Sequence, residues 1–323
     1  MRLAKAYSLI VFWLMLSWFI LTSASHGIVA LAEDEEVVTL YFIDVGQGDS
    51  VFIDTSGLDV LIDGGTRAAG ATIVDFLEDL NIVEIHLIVA THMDADHIGG
   101  LITVLNSAIQ VDQILINNQT GATVTYNDFM ALANTNSISI AQRGVTFVLA
   151  QNVNLTILNP VQPLEFNKQN LNSVAMRLQI GESSFLLMGD AEVETEESIL
   201  QSGMEVSCDV LKVGHHGSNT ATSDHFLSAV SPSIAIVSAG EDNPYGHPHQ
   251  ETLDKLIANQ ITTYGTYQSG TITITANSTS IQVLNDPIPI PEISIPSIIG
   301  SLTITLSIVI ILKRKTRYIS NKP

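Results

Sequence analysis

Four side chains able to bind a metal lie within six residues of one another, directly after an apolar run that predicts a buried strand at 85–90. They are His92, Asp94, Asp96 and His97 in the sequence THMDADHIGG. In a tight loop that enters a helix, the first pair would face one cation and the second pair a neighbouring cation. A solvated loop with a helix N-cap at Asp94 or Asp96 is the alternative, but a cap needs one acid and explains neither histidine. The spacing therefore predicts a metal site.

Further candidate residues follow other predicted strands, and strand ends are where α/β proteins build their sites. Asp190 follows the predicted strand 184–188, where one carboxylate would be placed to bridge two cations. Taken singly, each candidate has an ordinary explanation as a cap, a loop donor or a turn residue. Their shared position after strands favours one common site. The other candidates of this kind are Asp63, His215, His216 and His247.

The composition limits the class of protein. The chain has 323 residues, of which 46% are hydrophobic, so there is enough apolar material for a large core and a wholly disordered chain is excluded. All 33 acids lie between Glu33 and Glu292 together with only six basic residues, so that region carries a formal charge of −27. Such a charge argues against a duplex-binding protein that neutralises phosphates. The single cysteine, Cys208, excludes an intramolecular disulfide framework and a cysteine zinc cluster.

The two ends of the chain have the pattern of membrane segments. A basic start, an apolar run and small residues predict a secretory signal peptide at 1–32, with an uncleaved anchor as the alternative. After a proline-rich stalk at 285–292, residues 293–312 carry no charge over 20 residues, about the length that crosses a bilayer. The basic tail 313–323 predicts a cytoplasmic C-terminus. We expect an exported region anchored to the plasma membrane, or a sortable or cleavable tail.

Between these ends, predicted strands alternate with predicted helices. Helical spacing of apolar residues marks 72–80, acidic and amphipathic patterns mark helices at 192–201 and 250–258, and short apolar runs bounded by turn residues predict the strands. Strands occur in both halves of the region 33–284. The pattern therefore predicts an α/β domain with two sheets packed face to face and helices outside.

Six ordered motifs in this region resemble the metallo-β-lactamase family, and in particular the hydrolase domain of ComEC-type competence proteins. The resemblance covers about residues 37–284 and implies a four-layer αββα metallo-β-lactamase sandwich. The loop reads H-x-D-x-D-H where the wider family has H-x-H-x-D-H. The other motifs are DVGQGDS at 44–50, LIDGG at 61–65, LLMGD at 186–190, LKVGHHGS at 211–218 and YGHP at 245–248.

The resemblance implies two divalent metal ions and a role for each matching residue. His92 and Asp94 would bind one cation, Asp96, His97 and His247 the other, and Asp190 would bridge them. Asp63 would orient a ligand histidine, and either His215 or His216 would complete a metal shell or contact substrate. The remaining candidates for support or substrate contact are Asp44, Asn172 and Ser218.

Two departures from the wider family bear on the metal. Its second loop histidine is Asp94 here, and residues 170–173 (NLNS) stand where a further histidine is expected. Both are similar to the ComEC-type pattern and make the site richer in oxygen, which shifts its preference from zinc toward manganese or iron. Because no lysine lies around the loop, the metals are expected to be the main positive charges in the site.

The chemistry that follows is hydrolysis. Two cations would produce hydroxide near neutral pH, with Asp96 or Asp190 accepting the proton and His216 or Ser218 stabilising developing charge. The resemblance favours a phosphodiesterase or DNA nuclease, whereas the charge favours a small substrate. A hydrolase of a small ester or lactone, or a surface binding protein without activity, is the alternative. Because only one membrane anchor is expected, any role in DNA uptake would need a separate channel as the partner.

Overall fold

Two β-sheets carry the fold in the computed structural model, which describes residues 36–288. The predicted signal peptide 1–32, anchor 293–312 and tail 313–323 lie outside the described residues, as does the stalk beyond 288. The strands in chain order are β1 Val38–Phe42, β2 Val51–Asp54, β3 Val60–Ile62, β4 Glu84–Ala90, β5 Gln110–Ile116, β6 Ser137–Ile140, β7 Thr146–Ala150, β8 Val153–Asn159, β9 Ala175–Ile180, β10 Ser183–Leu187, β11 Val210–Lys212, β12 Ile234–Val237, β13 Thr262–Gly265, β14 Ile272–Ala276 and β15 Ile281–Val283.

Each sheet is mixed and contains one parallel block. The first sheet has the order β15-β14-β1-β2-β3-β4-β5-β6, and the strands from β3 to β6 are parallel. The second has the order β13-β12-β11-β10-β9-β8-β7, and the strands from β10 to β13 are parallel. Parallel strands leave their carboxyl ends at one edge, so each sheet offers one edge on which to build a site.

The two sheets pack face to face because their strands alternate apolar residues toward one side. In β1, Val38, Leu40 and Phe42 are buried while the residues between them are half-buried. They join a core cluster that includes Leu155 and Met176 of the second sheet. Burial of this alternating face is the main favourable contribution to folding.

Helices cover the outer faces of both sheets, which completes four layers. Separate apolar clusters lie between each sheet and its helices. Within residues 36–288, no helix has the length and apolar character needed to cross a membrane. The helices are α1 Gly70–Asp79, α2 Ala95–Ile98, α3 Leu101–Leu105, α4 Val124–Ala133, α5 Val193–Gln201, α6 Asp224–Val230, α7 Gln250–Ala258 and α8 Thr266–Ser269, with 3-10 turns at Arg67–Ala69, Asn170–Asn172 and Gly214–Gly217.

The cysteine belongs to the outer cluster of the second sheet. Cys208 is buried there, and burial, with the neighbouring charge of Asp209, raises the pKa of its thiol to about 12. A thiol with so high a pKa is protonated at neutral pH. Cys208 is therefore a packing residue and not a nucleophile.

Candidate metal centre

The candidate site lies where the parallel blocks of the two sheets end. From the first sheet, β3 leads to Asp63 and β4 leads to the loop that begins at His92. From the second sheet, β10 leads to Asp190, and β11 leads to His215 and His216. The side chains that sequence reasoning placed after separate strands are therefore contributed by both sheets to one place.

The loop after β4 has the geometry of a ligand loop. Asp94 precedes α2 with extended backbone, as an N-cap residue does, but its side chain makes no capping hydrogen bond. Its Oδ2 lies instead 3.5 Å from Nε2 of His92, whose side chain is fully buried. The capping alternative does not describe this aspartate.

Asp190 occupies the centre of the cluster. Its Oδ2 lies 3.3 Å from Nε2 of His97, 3.9 Å from Nε2 of His92 and 3.8 Å from Nε2 of His215. Its Oδ1 lies 3.5 Å from Nε2 of His216, which is 3.6 Å from Oδ2 of Asp96. One carboxylate thus faces both halves of the cluster, as a bridging ligand must.

Several of these atoms are buried without a hydrogen-bond partner among the described residues. They are Nε2 of His92, His97 and His216, together with Oδ1 of Asp190. A buried polar atom left unpaired costs free energy, so their convergence calls for an ion or a proton between them. Nitrogen and carboxylate donors in this number suit a divalent metal. Donor atoms within 4.8 Å of one another include the groups His92–His97–Asp190 and Asp96–His97–His216.

The electrostatics of the cluster show why cations would be stabilised there. Burial alone would raise the pKa of Asp190, but His216 and His97 outweigh it and hold that pKa well below its usual value. Burial would lower the pKa of His216, but Asp190 and Asp49 outweigh it and raise the pKa to about 9. The carboxylates thus favour positive charge at His216, and they likewise raise the pKa of His97 well above its usual value. A bound cation would supply that charge instead.

Asp63 orients one of these histidines. Its Oδ2 lies 2.7 Å from Nδ1 of His97 and accepts a hydrogen bond from the hydroxyl of Thr91. Its Oδ1 accepts a hydrogen bond from the amide of Thr91. All three side chains are buried. A carboxylate that holds Nδ1 of a ligand histidine directs Nε2 toward the metal, which is the role that the resemblance implies for Asp63.

A second carboxylate holds His216, and sequence reasoning missed it. Oδ1 of Asp49 lies 3.1 Å from Nδ1 of His216, and its Oδ2 accepts a hydrogen bond of 2.5 Å from Nζ of Lys212. The side chains of Asp49 and Lys212 are 3% and 2% exposed, so this is a buried ion pair. The expectation that metals are the main positive charges in the site is therefore incomplete. A lysine inside the apolar strand β11 was the available signal, because lysine is almost never buried unpaired.

The turn at Asn170–Asn172 supplies further contacts in place of the missing histidine. Oγ of Ser173 lies 3.3 Å from Nδ1 of His92 and accepts a hydrogen bond from the amide of Asp190. Nδ2 of Asn170 lies 3.3 Å from Nε2 of His215. Asn172 is buried and donates away from the cluster, to Gln119 and to the carbonyls of Phe166 and Lys168.

Three predicted residues lie farther from the cluster. Asp44 accepts a hydrogen bond from the amide of Gly46, and Ser218 exchanges hydrogen bonds with Thr220. The ring centroid of His247 is 6.1 Å from that of His216. No described carboxylate oxygen lies within 4.0 Å of the His247 ring nitrogens, and the place beside Asp96 and Asp190 is taken by His216. The assignment of His247 to the second cation stays a prediction.

Gly48 joins the DVGQGDS loop to the metal loop, and its replacement tests that contact. Its φ is +118°, and a Cβ there would lie 2.1 Å from the carbonyl oxygen of Asp96. Gly48→Ala is expected to cost about 2 kcal/mol or more of unfolding free energy, because strain and clash add. Urea unfolding measures it. Gly203→Ala is the control, since Gly203 has φ +71° but no atom within 4 Å of a Cβ. Equal losses in the two variants would contradict the contact.

Comparison with known proteins places this geometry in a family. Residues 43–111 match the metallo-beta-lactamase superfamily. The chain is 31% identical over 250 residues to ComE operon protein 3 of Bacillus subtilis (strain 168), covering 71% of this chain and 32% of that protein. It is 32% identical over 248 residues to Competence protein ComA of Neisseria gonorrhoeae, covering 75% and 33%. A solved metallo-beta-lactamase fold protein, YhfI from Bacillus subtilis, has a TM-score of 0.47 at 11% identity, covering 77% of this chain and 100% of that one.

Two mixed sheets with helices outside, and a histidine–aspartate cluster at their strand ends, define a metallo-β-lactamase fold with a candidate centre for divalent metal. Over most of its length the chain is similar to ComEC-type metallo-β-lactamase proteins. The predicted four-layer fold and this resemblance are thus confirmed. The chain spans about a third of the length of these two curated relatives.

Proposed function

We propose that this protein is an exported, membrane-anchored phosphodiesterase that uses two divalent cations, with manganese preferred over zinc. The observation that carries the proposal is the convergence of unpaired, buried donor atoms around Asp190. Asp94 stands where the wider family has a histidine, so the donor set is richer in oxygen than that family's, which moves its preference toward manganese. The name of one relative, Competence protein ComA, refers to competence and supports a substrate connected with DNA uptake.

The location is proposed from the ends of the chain. A signal peptide at 1–32 and an anchor at 293–312 would place the catalytic domain outside the plasma membrane and the C-terminus in the cytoplasm. There the domain would act on DNA beside a separate uptake channel. Cell fractionation and protease accessibility of a C-terminal tag test this topology. Digestion of the tag from outside intact cells would contradict it.

Each residue has a defined task in this proposal. His92, Asp94, Asp190 and His215 would hold one cation, and Asp96, His97, Asp190 and His216 the other. When bound, such a pair of cations activates water and neutralises charge on a phosphoryl group. Asp63 and Asp49 keep His97 and His216 directed inward. Asp96, whose side chain is partly exposed, would accept the proton of the attacking water.

A panel assay of the purified full-length chain tests the function. Manganese, zinc and magnesium are each combined with a single-stranded oligonucleotide, a cyclic dinucleotide, a simple phosphodiester and a lactone. We expect manganese to give the fastest phosphodiester hydrolysis, and we expect Asp96→Ala to lose it while remaining folded by circular dichroism. Asp75→Ala, a change of an exposed acid on α1, is the control.

The other outcomes of the panel decide against the proposal. Hydrolysis of the lactone alone would identify an ester hydrolase. A purified protein that holds no metal, and shows no activity after manganese is added, would identify a binding protein. Normal turnover by Asp96→Ala would remove the assignment of that residue.

A further inference from the structure

The mouth of the site has an exposed aromatic ring on one side. Tyr245 is 61% exposed, and its ring stacks on His247 with centroids 5.7 Å apart and planes 23° apart. The His247 ring lies 5.4 Å from His215 and 6.1 Å from His216. The aromatic surface therefore runs from solvent directly to the cluster around Asp190.

The loop that carries this ring is held rigid by one side chain. Oδ1 of Asn243 accepts hydrogen bonds from the amides of Tyr245 and His247. Its Nδ2 donates to the carbonyls of Gly240 and His247. With four hydrogen bonds at one amide group, the loop presents Tyr245 in a fixed position, so that little conformational entropy is lost when a ligand binds there.

The segment that ends at Asn170 carries an available cation next to the site. Lys168 is exposed and lies two residues before Asn170, which contacts His215. The segment is fixed to the site, because Asn172 donates to the carbonyl of Lys168 and Gln169 accepts from the amide of Met93. Among residues 36–288, the Lys168 ammonium has no carboxylate within 4.0 Å. The lysines and arginine that do have such a partner are Arg67, Lys212 and Lys255.

The surroundings of the mouth limit how long a substrate can be. An open groove of about 640 Å³ is lined by the residues that precede Tyr245 in its loop, including Glu241 and Asp242, and by Asp44. Unpaired carboxylates along a groove repel a phosphate backbone. A long polyanion gains no attraction there, whereas a short one can be held by contacts at the mouth alone.

We propose that the mouth binds a short single-stranded nucleotide segment, with a base stacked on Tyr245 and a phosphate next to the scissile one paired with Lys168. This inference rests on the proposed phosphodiesterase function and names its substrate class. Stacking on an aromatic side chain tolerates every base, and its loss weakens binding about 5- to 100-fold. Specificity would then come from the presence of a base and from short length, and not from base sequence.

Binding and turnover together test the inference on the full-length chain. Binding uses a phosphorothioate tetranucleotide that carries 2-aminopurine, whose fluorescence is quenched on stacking, in magnesium. Turnover in manganese compares the unmodified tetranucleotide with an abasic tetranucleotide of equal charge. We expect Tyr245→Ala to abolish the quenching and raise Kd about 5- to 100-fold, and Tyr245→Phe to behave like the unmodified protein. Lys168→Met should raise KM more than it lowers kcat, and Lys168→Arg should restore KM.

The failures of the two proposals are distinguishable. Equal affinity of the unmodified protein for the base-bearing and abasic tetranucleotides, or full quenching by Tyr245→Ala, would overturn the nucleotide-binding mouth while phosphodiester hydrolysis persists. If quenching depends on Tyr245 but no phosphodiester is hydrolysed with any of the metals, the nucleotide-binding proposal stands and the phosphodiesterase proposal is wrong.

Discussion

Replacing Asp190 by asparagine is expected to remove most of the bound metal and to lower phosphodiester hydrolysis more than about 1000-fold. Losses of about 10- to 100-fold are typical for residues that only orient a metal ligand, and a direct bridging ligand should exceed them. Asp190 is the carboxylate that lies within 4.0 Å of the Nε2 atoms of His92, His97, His215 and His216. Asparagine keeps the volume but loses the charge and one of the two acceptor oxygens.

Metal content by inductively coupled plasma mass spectrometry and turnover in excess manganese measure this effect. Asp75→Asn is the matched control, because it makes the same chemical change at an exposed helix position. Circular dichroism shows whether both variants are folded. If a folded Asp190→Asn variant keeps its metal and its turnover, Asp190 does not bridge the site.

Replacing Lys212 by methionine is expected to lower the unfolding free energy by about 3–5 kcal/mol, because it leaves the buried Asp49 carboxylate without its cationic partner at Oδ2. Lys212 ends β11 and donates to both Asp49 and the carbonyl of Val213. Both members of the pair are almost completely buried. Burial alone would raise the pKa of Asp49, but Lys212 and His216 outweigh it and keep that pKa below its usual value.

The double variant Asp49→Asn/Lys212→Met separates stability from function. With both charges removed, most of the lost stability should return, because a buried ion pair itself contributes little net free energy. Activity should stay about 10- to 100-fold low, since His216 no longer has a carboxylate at Nδ1. Urea unfolding measures the stability, and turnover in excess manganese measures the activity. Lys255→Met is the control, because its pair with Glu251 is a surface pair worth about 0–1 kcal/mol. If Lys212→Met loses no more unfolding free energy than Lys255→Met, the buried pair does not stabilise the fold.

Much of the fold follows from the residues alone. The apolar run in β4 and the amphipathic pattern of α7 are local signals, and the helix predicted at 250–258 has those bounds in the structure. Strands β6 and β13 were missed because their sequences, SISI and TTYG, are short and polar. Each of them lies at the edge of its sheet and pairs with one neighbouring strand only, so it needs few apolar residues.

The residues 98–105, which follow the metal loop, by themselves predict one helix that starts at Ile98, but in the structure the helix begins earlier and is interrupted. The structure has α2 at Ala95–Ile98 and α3 at Leu101–Leu105, separated by the two glycines of the motif. A Cβ on Gly100 would lie 1.9 Å from the carbonyl oxygen of Gly64. The LIDGG segment, although distant in sequence, packs against these glycines and sets the backbone there. The residue pattern within 98–105 cannot predict this contact.

The sequence by itself determined the types of ligand and the local cluster at 92–97, because residues that close along the chain must also be close in space. It left open the choice between His215 and His216, since the resemblance assigned His247 to the cation of Asp96, and it gave no sign that Asp49 holds His216. Those contacts join residues far apart in the chain, such as Asp49 with Lys212 and with His216. Only the packing of one sheet on the other sets such distances, because the burial of both apolar faces fixes how the strand ends of the two sheets meet.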